Sequence, residues 1–142
     1  MAGRVLLTVD ALGMAIGTVV ADCFNETHMF NPRWPPHAKF HNVQTVLLAE
    51  MLAALTLYYT WRRARTAELR REHLFGAAWA GSAYWAAGLL SILPPGTAGR
   101  DPEFGGPAFP QAKLFVALAA CGLLGAWLEA RRVAAAERAK EE

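Results

Sequence analysis

Residues 22–44 read DCFNETHMFNPRWPPHAKFHNVQ, a polar, proline-rich connection between two apolar segments. It holds His28, His37 and His41, three of the four histidines in the chain. Pro32, Pro35 and Pro36 stiffen its middle, because proline fixes its own φ and pushes its predecessor toward extended backbone. Arg33 and Trp34 suit the headgroup layer of a bilayer, where tryptophan is enriched. The stretch therefore reads as a stiff cap joining two membrane-embedded helices, with the rest of the chain as the scaffold that holds it.

Upstream lies Val5–Ala21, close to the ~20 apolar residues that a bilayer span needs. It contains Asp10 and has no small-x-small cleavage site, so a retained helix is expected rather than a removed signal. Gly13 and Gly17 form a G-x-x-x-G pair that allows close helix approach. Asp10 stands out, since a carboxylate at the centre of a span costs about 2.5–3.5 kcal/mol on insertion scales; it lies a turn or two from the N-terminal end, where either a snorkelling, structural role or a functional one fits. Downstream, a helix is expected over 38–60. On it His37, His41, Gln44 and Leu48 share a face by three-four spacing, and Glu50 lies deep in the segment, pointing away from His41 toward a partner helix or a wet cavity.

Residues 61–72 (WRRARTAELRRE) form a basic connection with five arginines. A third helix is expected over 73–93, with Ala77, Gly81, Tyr84 and Gly88 on one face. Residues 94–110 (PPGTAGRDPEFGGPAFP) are rich in proline and glycine and read as a second irregular loop. A fourth helix follows over 111–128, with Gly122, Gly125 and Ala126 for packing, and the tail 129–142 extends it into water.

The 142 residues form one domain. Hydrophobic content is 54 % and charged content 18 %, below the ~25 % charge usual in soluble domains. The expected class is all-α: an integral membrane four-helix bundle with two irregular outer loops. The arginine-rich connection and the Arg131–Lys140 tail place both termini in the cytoplasm. A soluble bundle would need a polar stripe on every helix, and the third and fourth segments have none. Cys23 and Cys121 sit at different depths and are expected to be unpaired.

The first loop and the start of the second helix gather the chemistry-bearing residues. His37 and His41, with Glu26 and the buried acid Glu50, are the candidate catalytic groups. Asn25, His28, Trp34, Asn42 and Gln44 are candidates for substrate binding. A divalent metal on His28, His37 and His41 is one reading, because histidines at i and i+4 can ligate one ion from a helix face and Asp22 or Glu26 could complete the set. Proton transfer by a histidine beside a carboxylate is a second. A third is structural: these groups cap helix two and satisfy loop backbone at membrane depth. Arg100, Asp101 and Glu103 of the second loop join from the same side. Asn25-Glu26-Thr27 also fits the N-x-T glycosylation sequon.

The block Asn25, Thr27, His28, Asn31, Pro32, Trp34, Pro35, Pro36, His37, Ala38, Phe40 and His41 resembles a family of small uncharacterised membrane proteins from fungi and bacteria that share N-x-T-H-x-x-N-P-x-W-P-P-H-A-x-F-H. The resemblance implies the four-helix membrane class and carries no established activity. The layout is more distantly similar to the sterol-isomerase and sigma-2-receptor superfamily, which uses buried carboxylates in a lipid-accessible cavity; no motif matches that group residue by residue.

Two functions follow as expectations. One is a small membrane enzyme acting by acid–base or metal-assisted chemistry on a lipophilic metabolite, as an isomerase, cyclase or hydrolase. The other is a small transporter or accessory subunit, with Asp10 as a proton-coupled group. The expected partners are the bilayer, a lipophilic small molecule and a second copy through small-residue helix faces; no nucleic acid is expected.

Overall fold

The computed structural model describes residues 1–141 of the chain. Helix α1 (Ala2–Thr18) runs into a π-helical turn (Val19–Cys23), followed by α2 (Pro36–Trp61), α3 (Ala67–Leu90), a 3-10 turn (Pro102–Phe104) and α4 (Ala112–Glu141). The described residues contain no strand. Each helix packs on its sequence neighbour and α4 closes back on α1, so the four helices form a square with a weaker α1–α3 diagonal. A short connection joins α2 to α3 and two longer loops join the other successive helices, in the up-down order of a four-helix bundle.

Local chemistry sets the helix ends. Pro36 occupies the first turn of α2, where its missing N–H has no partner to lose. Thr66 accepts a hydrogen bond from the Leu69 N–H at 3.1 Å, and Glu68 sits in the first turn. Both favour a helix start at that point. The arginine block expected as a connection over 61–72 is therefore helical from Ala67 onward. Helix α4 continues for 12 residues beyond Glu129, a projection of about 18 Å.

The interior is built from small and polar residues. Ala11, Ala49, Ala53, Ala77, Ala80 and Ala126 are buried beside Leu7, Met14, Leu74 and Trp85, along with Asp10, Thr18, Thr56 and Thr60. Large apolar residues face outward on every helix: Val5 and Ile16, Leu47 and Met51, Phe75 and Trp79, Leu123 and Trp127. A water-soluble bundle sorts these residues the other way. Small interior residues and close backbone approach are instead how helices associate in lipid. Backbones of α1 and α4 come close at Gly3 and Gly125, where a Cβ added to Gly3 would lie 2.4 Å from the Gly125 carbonyl oxygen.

Three of the helical stretches are long and apolar enough to cross a membrane: Ala2–Cys23, Pro36–Trp61 and Ala112–Lys140. Helix α3, expected as a span over 73–93, is not among them. Glu68, Arg70, Arg71 and Glu72 load its first turns, and much of the remainder is alanine, glycine and serine. The G-x-x-x-G pair divides in use. Gly13 receives the Leu118 side chain, whereas Gly17 has open space in front of it.

Candidate functional site: a loop-capped cavity

At the end of the bundle opposite the arginines, the two loops close over a cavity of about 470 Å³. Gly13, Gly17 and Ala21 of α1 and its π turn mark one wall, Tyr84 and Trp85 of α3 the floor, and Leu114 and Phe115 of α4 another wall. From Gly13 to Ala21 the cavity follows α1 for about 12 Å. Asp22, Asn25, Thr27, His28 and Trp34 enter from the first loop, and Arg100, Asp101 and Gln111 from the second.

The roof is held by contacts between the loops. Asn31, 2 % exposed, accepts from the Arg33 N–H at 2.9 Å and donates to Glu103 Oε1 at 3.3 Å. Arg33 pairs with the same carboxylate, and the Trp34 indole donates to Asp101 Oδ2 at 3.4 Å. Within the second loop, Gln111 donates to the Gly99 carbonyl at 2.6 Å. Gly105 and Gly106 take positive φ values of 60° and 81° where the chain reverses after the 3-10 turn, a conformation glycine reaches at little cost.

The polar lining contains a directed chain of hydrogen bonds. Asn25 Oδ1 accepts from the Thr27 backbone N–H at 2.9 Å, which fixes the orientation of the amide. The Thr27 hydroxyl lies 2.9 Å from the same oxygen and must donate to it. Its oxygen then receives Nδ1–H of His28, 2.8 Å away. This network assigns the tautomer and leaves Nε2 as the basic nitrogen. Nε2 faces Asp22 Oδ1 at 3.7 Å. A bare imidazole nitrogen and a carboxylate are both acceptors, so the contact becomes attractive when one proton lies on the pair. The π turn carries Asp22 into this position, as such turns often do at functional sites. The Trp34 ring stands edge-on to His28 with centroids 5.1 Å apart.

Beneath the floor, the Trp85 indole donates to Asp10 Oδ1 at 2.6 Å. Asp10 is fully buried, and its Oδ2 has no hydrogen-bond partner among the described residues. Two glycines make room for it: a Cβ at Gly81 would stand 2.1 Å from Oδ2, and one at Gly122 would stand 2.7 Å away.

The expected site residues divide between this cavity and other surfaces. Asn25, His28 and Trp34 line it. His37 and His41 are exposed outside the lining, with their Nε2 atoms 3.1 Å apart and Gln44 Oε1 3.1 Å from His41 Nδ1. Asn42 is buried and donates to the Asp22 carbonyl at 3.3 Å, bracing the π turn from α2. Glu26 is exposed, Glu50 is half-buried, and neither lines the cavity. No three histidine, cysteine, aspartate or glutamate side chains converge as a metal-binding set among the described residues, so His28 does not join the His37–His41 pair. Asp22, expected only as a further metal ligand, instead faces His28, and Thr27, Tyr84 and Trp85 are contributors that sequence reasoning left out of the candidate site. The cysteines are both free.

The chain is thus an all-helical bundle with three helices long and apolar enough to cross a membrane and a loop-capped cavity of mixed lining. Residues 6–140 match the family of unknown function DUF6640, and the chain belongs to that family. No curated protein and no solved structure matches it.

Proposed function

We propose that this chain is a multi-pass membrane enzyme that moves protons on a lipophilic metabolite bound beneath the two loops. His28 Nε2 is the general base and acid, Asp22 shares its proton, and Thr27 with Asn25 fixes the imidazole. The observation that carries the reading is the His28 chain itself, a histidine with an assigned tautomer and a carboxylate at 3.7 Å, opening on a cavity with apolar walls. A pocket of this size and mixed lining is the usual form of a small-molecule site. Helix α3 travels with its apolar neighbours. The arginine end faces the cytosol with both termini, and the loops face the other side, in keeping with the positive-inside rule.

Water labelled with deuterium and oxygen-18 tests this whatever the identity of the substrate. Membranes carrying the full chain are incubated in it with an apolar extract of the host cells. Isomerisation or cyclisation introduces deuterium at carbon, and hydrolysis introduces the heavy oxygen. The expected result is a labelled lipophilic compound with the wild type and none with His28→Ala. Equal labelling with both contradicts the assignment. Loss with His41→Ala and retention with His28→Ala returns the chemistry to the exposed pair.

Asp10 favours a second reading, a proton-coupled transporter, because a buried carboxylate with one unpartnered oxygen in a membrane helix is costly and commonly functional. pH-driven efflux from vesicles that disappears in Asp10→Asn would select it over the enzyme.

A further inference from the structure

The opposite end of the bundle carries a second cavity, of about 420 Å³, between the start of α1, the α2–α3 connection and the late part of α4. Arg4, Arg62, Arg63, Arg70 and Arg132 line it against one carboxylate, Glu129. Two of these cations are already committed. Arg70, 8 % exposed, donates to the carbonyls of Thr60 at 3.1 Å and of Tyr59 and Arg62 at 3.5 Å, where it neutralises the end of α2. Arg62 donates to the Tyr58 hydroxyl and stacks over that ring.

Glu129 is itself oversubscribed. The amino terminus donates to it at 3.1 Å, and Arg4 Nε and Arg132 Nη1 stand 3.6 and 3.5 Å away. Arg4 Nε is buried without a hydrogen-bond acceptor. Arg63 has no ion-pair partner among the described residues, and its side chain opens on the cleft. An anion with several oxygens would offset the repulsion among these like charges, and guanidinium forks match phosphate oxygens in pairs.

We propose that this cleft binds a phosphate-bearing anion, with Arg63, Arg132 and Arg4 as its cations and Trp61 as its apolar wall. The proposal is independent of the loop-capped cavity and stands if that site proves inactive. Basic pockets between membrane helices suit anionic lipid headgroups, and exposed Val5, Val9 and Trp61 offer apolar surface for acyl chains beside this one. A free phosphate compound presents the same chemistry.

The test uses the full chain in neutral detergent, titrated separately with short-chain phosphatidic acid, short-chain phosphatidylcholine and inorganic phosphate. The readouts are affinity and the midpoint of thermal unfolding. Saturable binding of phosphatidic acid with a raised midpoint, and none of phosphatidylcholine, is expected and assigns a lipid headgroup. The same response to inorganic phosphate supports the site and assigns a free anion. No response to either overturns the proposal, as does an equal response to phosphatidylcholine.

Arg63→Gln should weaken binding about fivefold, and Arg63→Gln with Arg132→Gln about 25-fold, at roughly one factor of five per arginine. The lysine versions should recover most of it. Arg63 is exposed and makes no side-chain hydrogen bond or ion pair among the described residues, so the single variant keeps the fold and decides the matter if the double variant does not. Arg65→Gln, outside the cleft, should bind as the wild type; an equal loss there would mean general charge attraction and no site.

Discussion

The two ends of the bundle solve opposite problems with loops of opposite character. At the capped end, long proline- and glycine-rich loops tie to one another through Asn31, Glu103, Trp34 and Asp101, and enclose a partly apolar cavity. At the arginine end the α2–α3 connection is short, α3 and α4 project outward, and the Arg71–Glu137 pair joins the projecting turns. One end gathers a few directed polar groups beneath two loops. The other concentrates positive charge at a surface.

The largest expected effect breaks that comparison at the capped end. His28→Ala removes the basic nitrogen, and turnover should fall about 10²–10⁴-fold, the usual worth of a positioned acid or base. His41→Ala, at an exposed position, should leave the labelling rate near that of the wild type. Next comes the floor. Trp85→Phe takes away the one donor to Asp10 among the described residues, leaves the carboxylate buried, and should cost about 1–3 kcal/mol of unfolding free energy. Gly81→Ala places a methyl group on the Asp10 carboxylate and should cost about 1–3 kcal/mol by overpacking. Both are read from thermal or denaturant unfolding in detergent.

The roof should respond less. Asn31→Ala loses the turn that orders Arg33 and the link to Glu103, for about 1 kcal/mol, and should speed proteolysis within residues 24–35 before it affects the helices. Arg33→Ala breaks an ion pair whose arginine is 66 % exposed, and should change stability by less than ~1 kcal/mol.

How far the sequence revealed these regions depends on the range of the signal. The four helices and two loops were legible because apolar length and proline content are local properties. Asp10 was conspicuous as a charge in an apolar run, yet its partner lies 75 positions away in Trp85, and no periodicity links them. The spacing of His37 and His41 established that they share a face of α2 but not which way it points. The buried positions Asn42, Val46, Ala49, Ala53, Thr56 and Thr60 alternate steps of four and three. That small and polar stripe is the signal that places the histidine face outward. Read with the rule for lipid rather than for water, it would also have identified the interior of α1 from Gly3, Leu7, Asp10, Ala11, Met14 and Thr18. The Asp22–His28 contact depends on the π turn and on the loop returning over it, and neither leaves a repeating mark in the chain.

The central claim is that the capped cavity and the arginine cleft lie on opposite sides of a bilayer. With Cys23 and Cys121 replaced by serine, Glu26→Cys and Arg63→Cys each provide one exposed thiol, at the roof and at the arginine end. A membrane-impermeant maleimide is added to sealed vesicles of known orientation. The expected result is labelling of one variant from outside and of the other only after the vesicles are opened. Labelling of both from the same side, or recovery of the chain in the soluble fraction without detergent, would contradict it.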